Sequence, residues 1–193
     1  MNQVVAFPEA EKWAGIDSFL EDSAARNLTA GQRLILTGGG TLTATLQALS
    51  NSPIHIDVIR QQLLEADPGS VRFLEMGEIE KGLFREVWIL NNKNEKLVYA
   101  VSFLPLTAMN PSIYEALMSG RCSIGDLIET MNLPSCKDKI GFGKIQSEFL
   151  SKEFKALAAS HFWYRHYRLA SPKNLLASIF EVFSPTAFDM KFS

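Results

Sequence analysis

The chain has 193 residues, 47% of them hydrophobic and 21% charged, which suits a globular protein with a sizeable core. Lys and Arg number 19 against 21 Asp and Glu, and a net charge of −2 gives no electrostatic support for a nucleic-acid or anionic-membrane partner. Two cysteines, Cys122 and Cys136, are too few for a disulfide scaffold or a zinc site, no apolar run approaches the roughly 20 residues of a membrane span, and Met1 to Trp13 lacks a signal-peptide pattern. A cytoplasmic protein with reduced thiols, not inserted in a membrane, is expected.

Residues 1 to 50 read as helical. Trp13, Ile16, Phe19 and Leu20 have helix-like spacing, and Leu34, Leu36, Leu42, Leu46 and Leu49 suggest further turns. Thr37-Gly38-Gly39-Gly40-Thr41 interrupts them as a helix–helix junction, with Thr41 as N-cap. No Lys-Ser/Thr pair follows and no strand precedes, so a helix–helix junction is a stronger reading than a phosphate-binding loop. Ile54 to Leu64 alternates as a strand. Leu83 to Leu90 and Leu97 to Leu104 are two more, joined by an Asn-rich hairpin connector and closed by Pro105. Pro111 to Met131 turns helical, with Ser123 able to cap a second helix. Lys137 to Ser160 is mixed, with Phe149, Phe154, Leu157 and Ala158 suggesting helix at its end. Phe162 to Leu169 and Leu175 to Phe183 are strands joined by a turn over residues 170–174. Helices first, then strand pairs with helices between them, give an α+β fold on a mainly antiparallel sheet.

Three charged positions stand out. Alternation places Arg85 with Val87 and Ile89, and Glu86 with Phe84 and Trp88, so at least one of the two charges meets a core or a pocket. Arg85 is either an ion-paired edge-strand charge or a pocket guanidinium suited to a carboxylate through its bidentate fork. Glu181, on a face with Ile179 and Phe183, is either a structural partner of an arginine or a group that binds a hydroxyl or moves a proton. The run from Phe162 to Leu169 interleaves aromatic and basic residues. Nucleic-acid binders use that pattern, but an ion-paired sheet strand accounts for it more simply, with one arginine left to hold an anion. His55, His161 and His166 lack partners at ligand spacing, so no metal is expected, and no Ser/His/Asp or Cys/His order suggests a hydrolase.

Taken together, Phe84-Arg85-Glu86-Val87, Phe103-Leu104-Pro105, Ser123-Ile124-Gly125, Trp163-Tyr164-Arg165, Arg168-Leu169 and Phe180-Glu181-Val182-Phe183-Ser184-Pro185 resemble the chorismate lyase (chorismate–pyruvate lyase) family in order and spacing, from about Thr41 to Pro185. The resemblance implies one domain over 1–193, with residues 1–40 as a helical N-terminal extension, and helical flaps over a buried pocket. It further implies a lyase that converts chorismate to 4-hydroxybenzoate and pyruvate for quinone biosynthesis, without metal or organic cofactor. Arg85 and Glu181 fall on the family's catalytic positions, and Leu42 and Ile124 on its two backbone contacts to substrate. Departures are the first forty residues, an insertion around Gly141 to Phe154, and Ala100-Val101 where the compact bacterial enzymes carry Gly-Arg. The competing expectation is a non-catalytic sensor of the same fold that binds an aromatic carboxylate. Effector domains of that type follow a helix-turn-helix, and residues 1–50 carry only Lys12, Arg26 and Arg33 as cations.

Overall fold

A computed structural model describes residues 13–65, 81–120, 122–171 and 175–189. Four helices come first after a short strand: β1 (Trp13–Ala14), α1 (Ile16–Glu21), α2 (Ser23–Arg26), α3 (Ala30–Thr37) and α4 (Leu42–Ser50). Three long strands follow, β2 (Ile54–Glu65), β3 (Lys81–Asn91) and β4 (Lys96–Pro105), then α5 (Pro111–Met118) and α6 (Ile124–Thr130). The chain continues through β5 (Cys136–Gln146), α7 (Glu148–Glu153), β6 (His161–Ala170), β7 (Leu175–Phe183) and α8 (Pro185–Phe188). The seven strands form one sheet in the order β1-β5-β6-β7-β4-β3-β2, antiparallel at every pairing. The α+β class and the antiparallel sheet expected from sequence are what the chain adopts.

Local chemistry accounts for the boundaries. Thr29 and Gln32 form a reciprocal capping box on α3, Ser123 and Asp126 another on α6, and Pro111 occupies the first turn of α5. At the β3–β4 hairpin the Asn91 side-chain oxygen accepts the Lys93 and Glu95 amides at 3.0 Å each, and Asn94 takes φ 59°, which asparagine tolerates better than most residues.

Two sequence expectations need correction. Trp13 does not extend the first helix: it lies in β1, paired with Phe142, and Gly15 at φ 102° separates that strand from α1. The outer edge of β5 offers unpaired backbone groups, and satisfying them outweighs the helical spacing. The mixed segment from Lys137 opens as strand through Gln146, and the helix after it ends at Glu153, leaving Leu157 exposed. Gly141 and Gly143 hid that strand. They stand opposite His166 and Tyr164, and a Cβ on Gly143 would come within 2.5 Å of the Tyr164 hydroxyl. The stretch 141–154, an insertion relative to the compact bacterial enzymes by the sequence reading, supplies half of β5 and all of α7. Of the turn expected at 170–174, positions 172–174 lie outside the described residues, as do the first twelve.

The sheet separates two kinds of core. One face carries an aromatic cluster, with Trp88, Tyr99, Phe162, Tyr164 and Phe180 packed against Leu150 of α7 and the neighbouring Phe154. The other face is covered by α1–α4 and α8 at one end and by α5 and α6 at the other. Phe19 anchors the N-terminal helices there: it is fully buried, stacked on Phe142 with centroids 4.3 Å apart and edge-on to Trp163 at 5.7 Å. Among the described residues no helix is long and apolar enough to cross a membrane. Phe19→Ala is expected to lose about 3–5 kcal/mol in urea denaturation, the range for emptying an aromatic core position. A loss below ~1 kcal/mol would show that α1 and α2 are dispensable to the core.

Candidate active site

Between the two helical groups the sheet is left uncovered, and a cavity of about 200 Å³ opens there. Its floor is formed by alternate residues of four strands: Arg85, Val87 and Ile89 of β3, Ala100 and Ser102 of β4, Tyr167 and Leu169 of β6, Ile179 and Glu181 of β7. Its roof is the junction Gly39-Gly40-Thr41 with the start of α4, and Ser123-Ile124-Gly125 with the start of α6. Leu42, Arg85, Ile124 and Glu181, picked out from separate motifs, therefore all line one cavity.

The two roof helices meet. The Thr43 hydroxyl of α4 donates to an Asp126 carboxylate oxygen of α6 at 2.9 Å. Gly125 lies so close to Thr41 that a Cβ would come within 2.7 Å of its methyl group, so the approach requires glycine there. Leu42 and Ile124 are each the first residue of their helix, and amides at that position have no acceptor inside the helix. Thr41 is the N-cap of α4 as expected, yet its hydroxyl caps nothing and is buried without a partner.

Arg85 and Glu86 are both buried, on opposite faces. Glu86 accepts the Tyr99 hydroxyl at 2.6 Å on the aromatic face; burial, then Glu86, hold that phenol well above its ordinary range. Arg85 enters the cavity from an interior strand. One guanidinium nitrogen donates to the Cys122 carbonyl at 2.8 Å, Nε has no partner, and no carboxylate pairs with it among the described residues. Burial lowers its pKa, with partial compensation from Cys122, but a guanidinium remains charged at neutral pH. β3 is not an edge strand, and among the described residues Arg85 has no ion pair, so the ion-paired edge-strand reading does not hold for them.

Glu181 is different. Arg165 Nε donates to one of its oxygens at 2.5 Å, and the Tyr167 hydroxyl to the other at 3.2 Å. The Arg165 guanidinium also donates to the carbonyls of Ile35 and Leu36 at the end of α3, at 2.9 and 2.8 Å. Burial, the largest influence, would lower Arg165, but the charge of Glu181, Tyr167 and the hydrogen bonds to both together more than offset it and the pKa is raised. Arg168 pairs with Asp138 across β5 and β6 at 2.6 Å. The aromatic–basic run is thus an ion-paired sheet strand with Arg165 in the interior, as its simpler reading had it.

Sequence reasoning passed over Lys137. It lines the cavity from β5, and its ammonium donates to the carbonyls of Gly38 and Gly40 at 3.1 and 2.7 Å. Burial, reinforced by Arg165 and opposed by Glu181, lowers its pKa to about 8. No spacing rule marks a lysine whose strand was itself obscured by glycines. At Ala100-Val101, only Ala100 lines the cavity; Val101 packs into the aromatic cluster on the other face. In this chain position 101 therefore cannot present a cation to the cavity. Among the described residues no group of three or more His, Cys, Asp or Glu could hold a metal.

A family model described as chorismate pyruvate-lyase, Rv2949c-like, matches residues 36–191. The chain belongs to this chorismate pyruvate-lyase family. The family match begins inside α3, at one of the residues whose carbonyl Arg165 holds, and leaves the preceding helices outside it. Proteins named chorismate pyruvate-lyase from Mycobacterium tuberculosis and Mycobacterium leprae are 20% and 28% identical over 126 and 114 residues. Those alignments cover 64% and 58% of this chain, and the chain spans 63% and 54% of those relatives. Among solved structures, the effector domain of PhnF from Mycobacterium smegmatis shares the fold with a TM-score of 0.61 at 13% identity, covering 80% of this chain and 93% of that one. A GntR-family transcriptional regulator from Bacillus cereus gives 0.57 at 9%, covering 72% and 97%. As a member of the chorismate pyruvate-lyase family, the chain shares its fold with the effector domain of PhnF and a GntR-family transcriptional regulator.

Arg165→Met strands a buried carboxylate and is expected to destabilise by about 3–5 kcal/mol, whereas Arg165→Met with Glu181→Leu should recover most of the loss, because an apolar pair needs no charge compensation. Equal stability of the two variants in urea denaturation would contradict this account of the pair.

Proposed function

We propose that this protein cleaves chorismate to 4-hydroxybenzoate and pyruvate. The observation that carries the reading is Arg85: a buried guanidinium, without a carboxylate partner among the described residues and with an unfilled Nε, in a small and largely apolar cavity. Burying such a donor is costly unless a ligand completes it, and a planar carboxylate matches its fork. The cavity is below the ~300–1,000 Å³ range of drug-sized sites, consistent with a single-ring acid.

In this reading Arg85 clamps the ring carboxylate. Glu181, ion-paired with Arg165, accepts the hydrogen bond of the 4-hydroxyl and orients the C4–H bond, and the amides of Leu42 and Ile124 donate to substrate from the roof. Cleavage breaks the C3–O bond and removes the C4 hydrogen as a proton. The electron pair left at C4 completes the aromatic ring, and the enolpyruvate takes up a proton at its methylene carbon to become pyruvate. Glu181 is the floor carboxylate available to receive the C4 proton. The reaction is redox-neutral and aromatisation drives it, so these side chains and a closed roof suffice. The aromatic product is a precursor suited to quinone synthesis.

Purified protein incubated with chorismate should release 4-hydroxybenzoate, followed by chromatography, and pyruvate, followed by a coupled assay, in equal amounts. Arg85→Ala should cost at least about thirty-fold in kcat/KM, the effect of ~2 kcal/mol, and Arg85→Lys should restore little because bidentate geometry is lost. Glu181→Gln should lower kcat more than it raises KM; unchanged turnover would remove proton transfer from its role. The fold shared with regulator effector domains supports a second reading, ligand binding alone. No turnover together with a higher melting temperature in 4-hydroxybenzoate would establish it.

A further inference from the structure

Chorismate carries two carboxylates, and Arg85 accounts for one. Among the described residues, three other cations lie around the cavity. Arg165 is committed to Glu181 and to two carbonyls, and Arg168 is paired with Asp138; neither lines the cavity. Lys137 does line it. Its ammonium has three protons, of which Gly38 and Gly40 accept two, leaving one for a ligand. It lies 5.0 Å from the centroid of the Tyr167 ring, whose hydroxyl is on Glu181. Lys137 therefore approaches from the Glu181 side, and Arg85 from the other. Their strands, β5 and β3, are four places apart in the sheet, ~19 Å at ~4.8 Å per strand, so the two side chains reach inward from opposite walls.

We propose that Lys137 is the anchor for the substrate's second carboxylate, so that the cavity selects a dianion with its charges at opposite ends over a monoanion. The assignment rests on the lyase reading for the identity of the dianion. The Arg165–Glu181 pair is neutral overall, which leaves Arg85 and Lys137 as the two uncompensated charges inside the cavity among the described residues, matching two carboxylates; Glu129 also lines it but is exposed. Because Lys137 also holds the Gly38–Gly40 junction, a carboxylate on its ammonium is bound directly under the roof.

The test compares the intact protein with Lys137→Met and Lys137→Arg, each first checked for an unchanged melting transition. Two non-reacting probes, isophthalate as dianion and benzoate as monoanion, are titrated by calorimetry, and chorismate kinetics are measured in parallel. Lys137→Met should weaken isophthalate about ten-fold or more and leave benzoate within about two-fold, the difference expected when one charge-assisted hydrogen bond is lost. Chorismate KM should rise by a similar factor with kcat little changed, and Lys137→Arg should keep most of the preference for the dianion. Equal weakening of both probes would reduce Lys137 to a tether of the junction and overturn the proposal, as would no change in either. An intact protein that prefers isophthalate through Lys137 but does not turn over chorismate would refute the lyase and uphold the anchor.

Discussion

The buried pair of Arg165 and Glu181 is the interaction on which the site depends. It joins β6 to β7 where the two residues stand opposite each other, and through the carbonyls of Ile35 and Leu36 it ties the end of α3 to the same point. A pair so enclosed gains little stability over apolar residues of the same size, because desolvation offsets most of the attraction. What it does is fix positions. Glu181 is held as an acceptor in the cavity floor, and α3 is set where the glycine junction after it must pass over the cavity.

Charge within the cavity follows from that arrangement. With Glu181 neutralised by Arg165, the remaining interior charges among the described residues are positive: Arg85, buried on β3 next to the edge strand β2, and Lys137, with an ammonium weakened by burial. An apolar floor surrounds them, so an anion that enters meets little competing water, and the electrostatic interaction is stronger than at a surface. The roof is tied at two places, Thr43 to Asp126 between the helices and Lys137 to the glycine carbonyls. Lys137, the proposed anion anchor, therefore also helps organise what closes over the cavity.

The sheet itself does not decide between binding and catalysis. The same antiparallel platform serves the regulator domains that this chain resembles in fold at about a tenth identity, and fold alone carries no chemistry. The distinction rests on the groups the platform presents: a cation without a carboxylate partner among the described residues, an ion-paired carboxylate on the next strand but one, and backbone amides at two helix starts.

Much of the fold was legible in the sequence because its signals are local. Alternation marked β2, β3, β4, β6 and β7 to within one or two residues, and the Asn-rich connector marked the hairpin. Alternation also placed Arg85 and Glu86 on opposite faces, as they are. β5 was not legible, because its glycines answer to the rings of His166 and Tyr164 on another strand. Nor was β1, whose two residues are strand only because β5 has an edge to cover. For the site, the sequence by itself determined which residue types were available: a guanidinium and a carboxylate in apolar strands, and helix starts able to offer amides. Only tertiary structure decided that Arg85 has no carboxylate partner among the described residues while Glu181 has Arg165, that position 101 faces away, and that Lys137 reaches the cavity. Those outcomes depend on which strands lie side by side and which face each residue takes, and pairing between distant segments is not written in any local spacing.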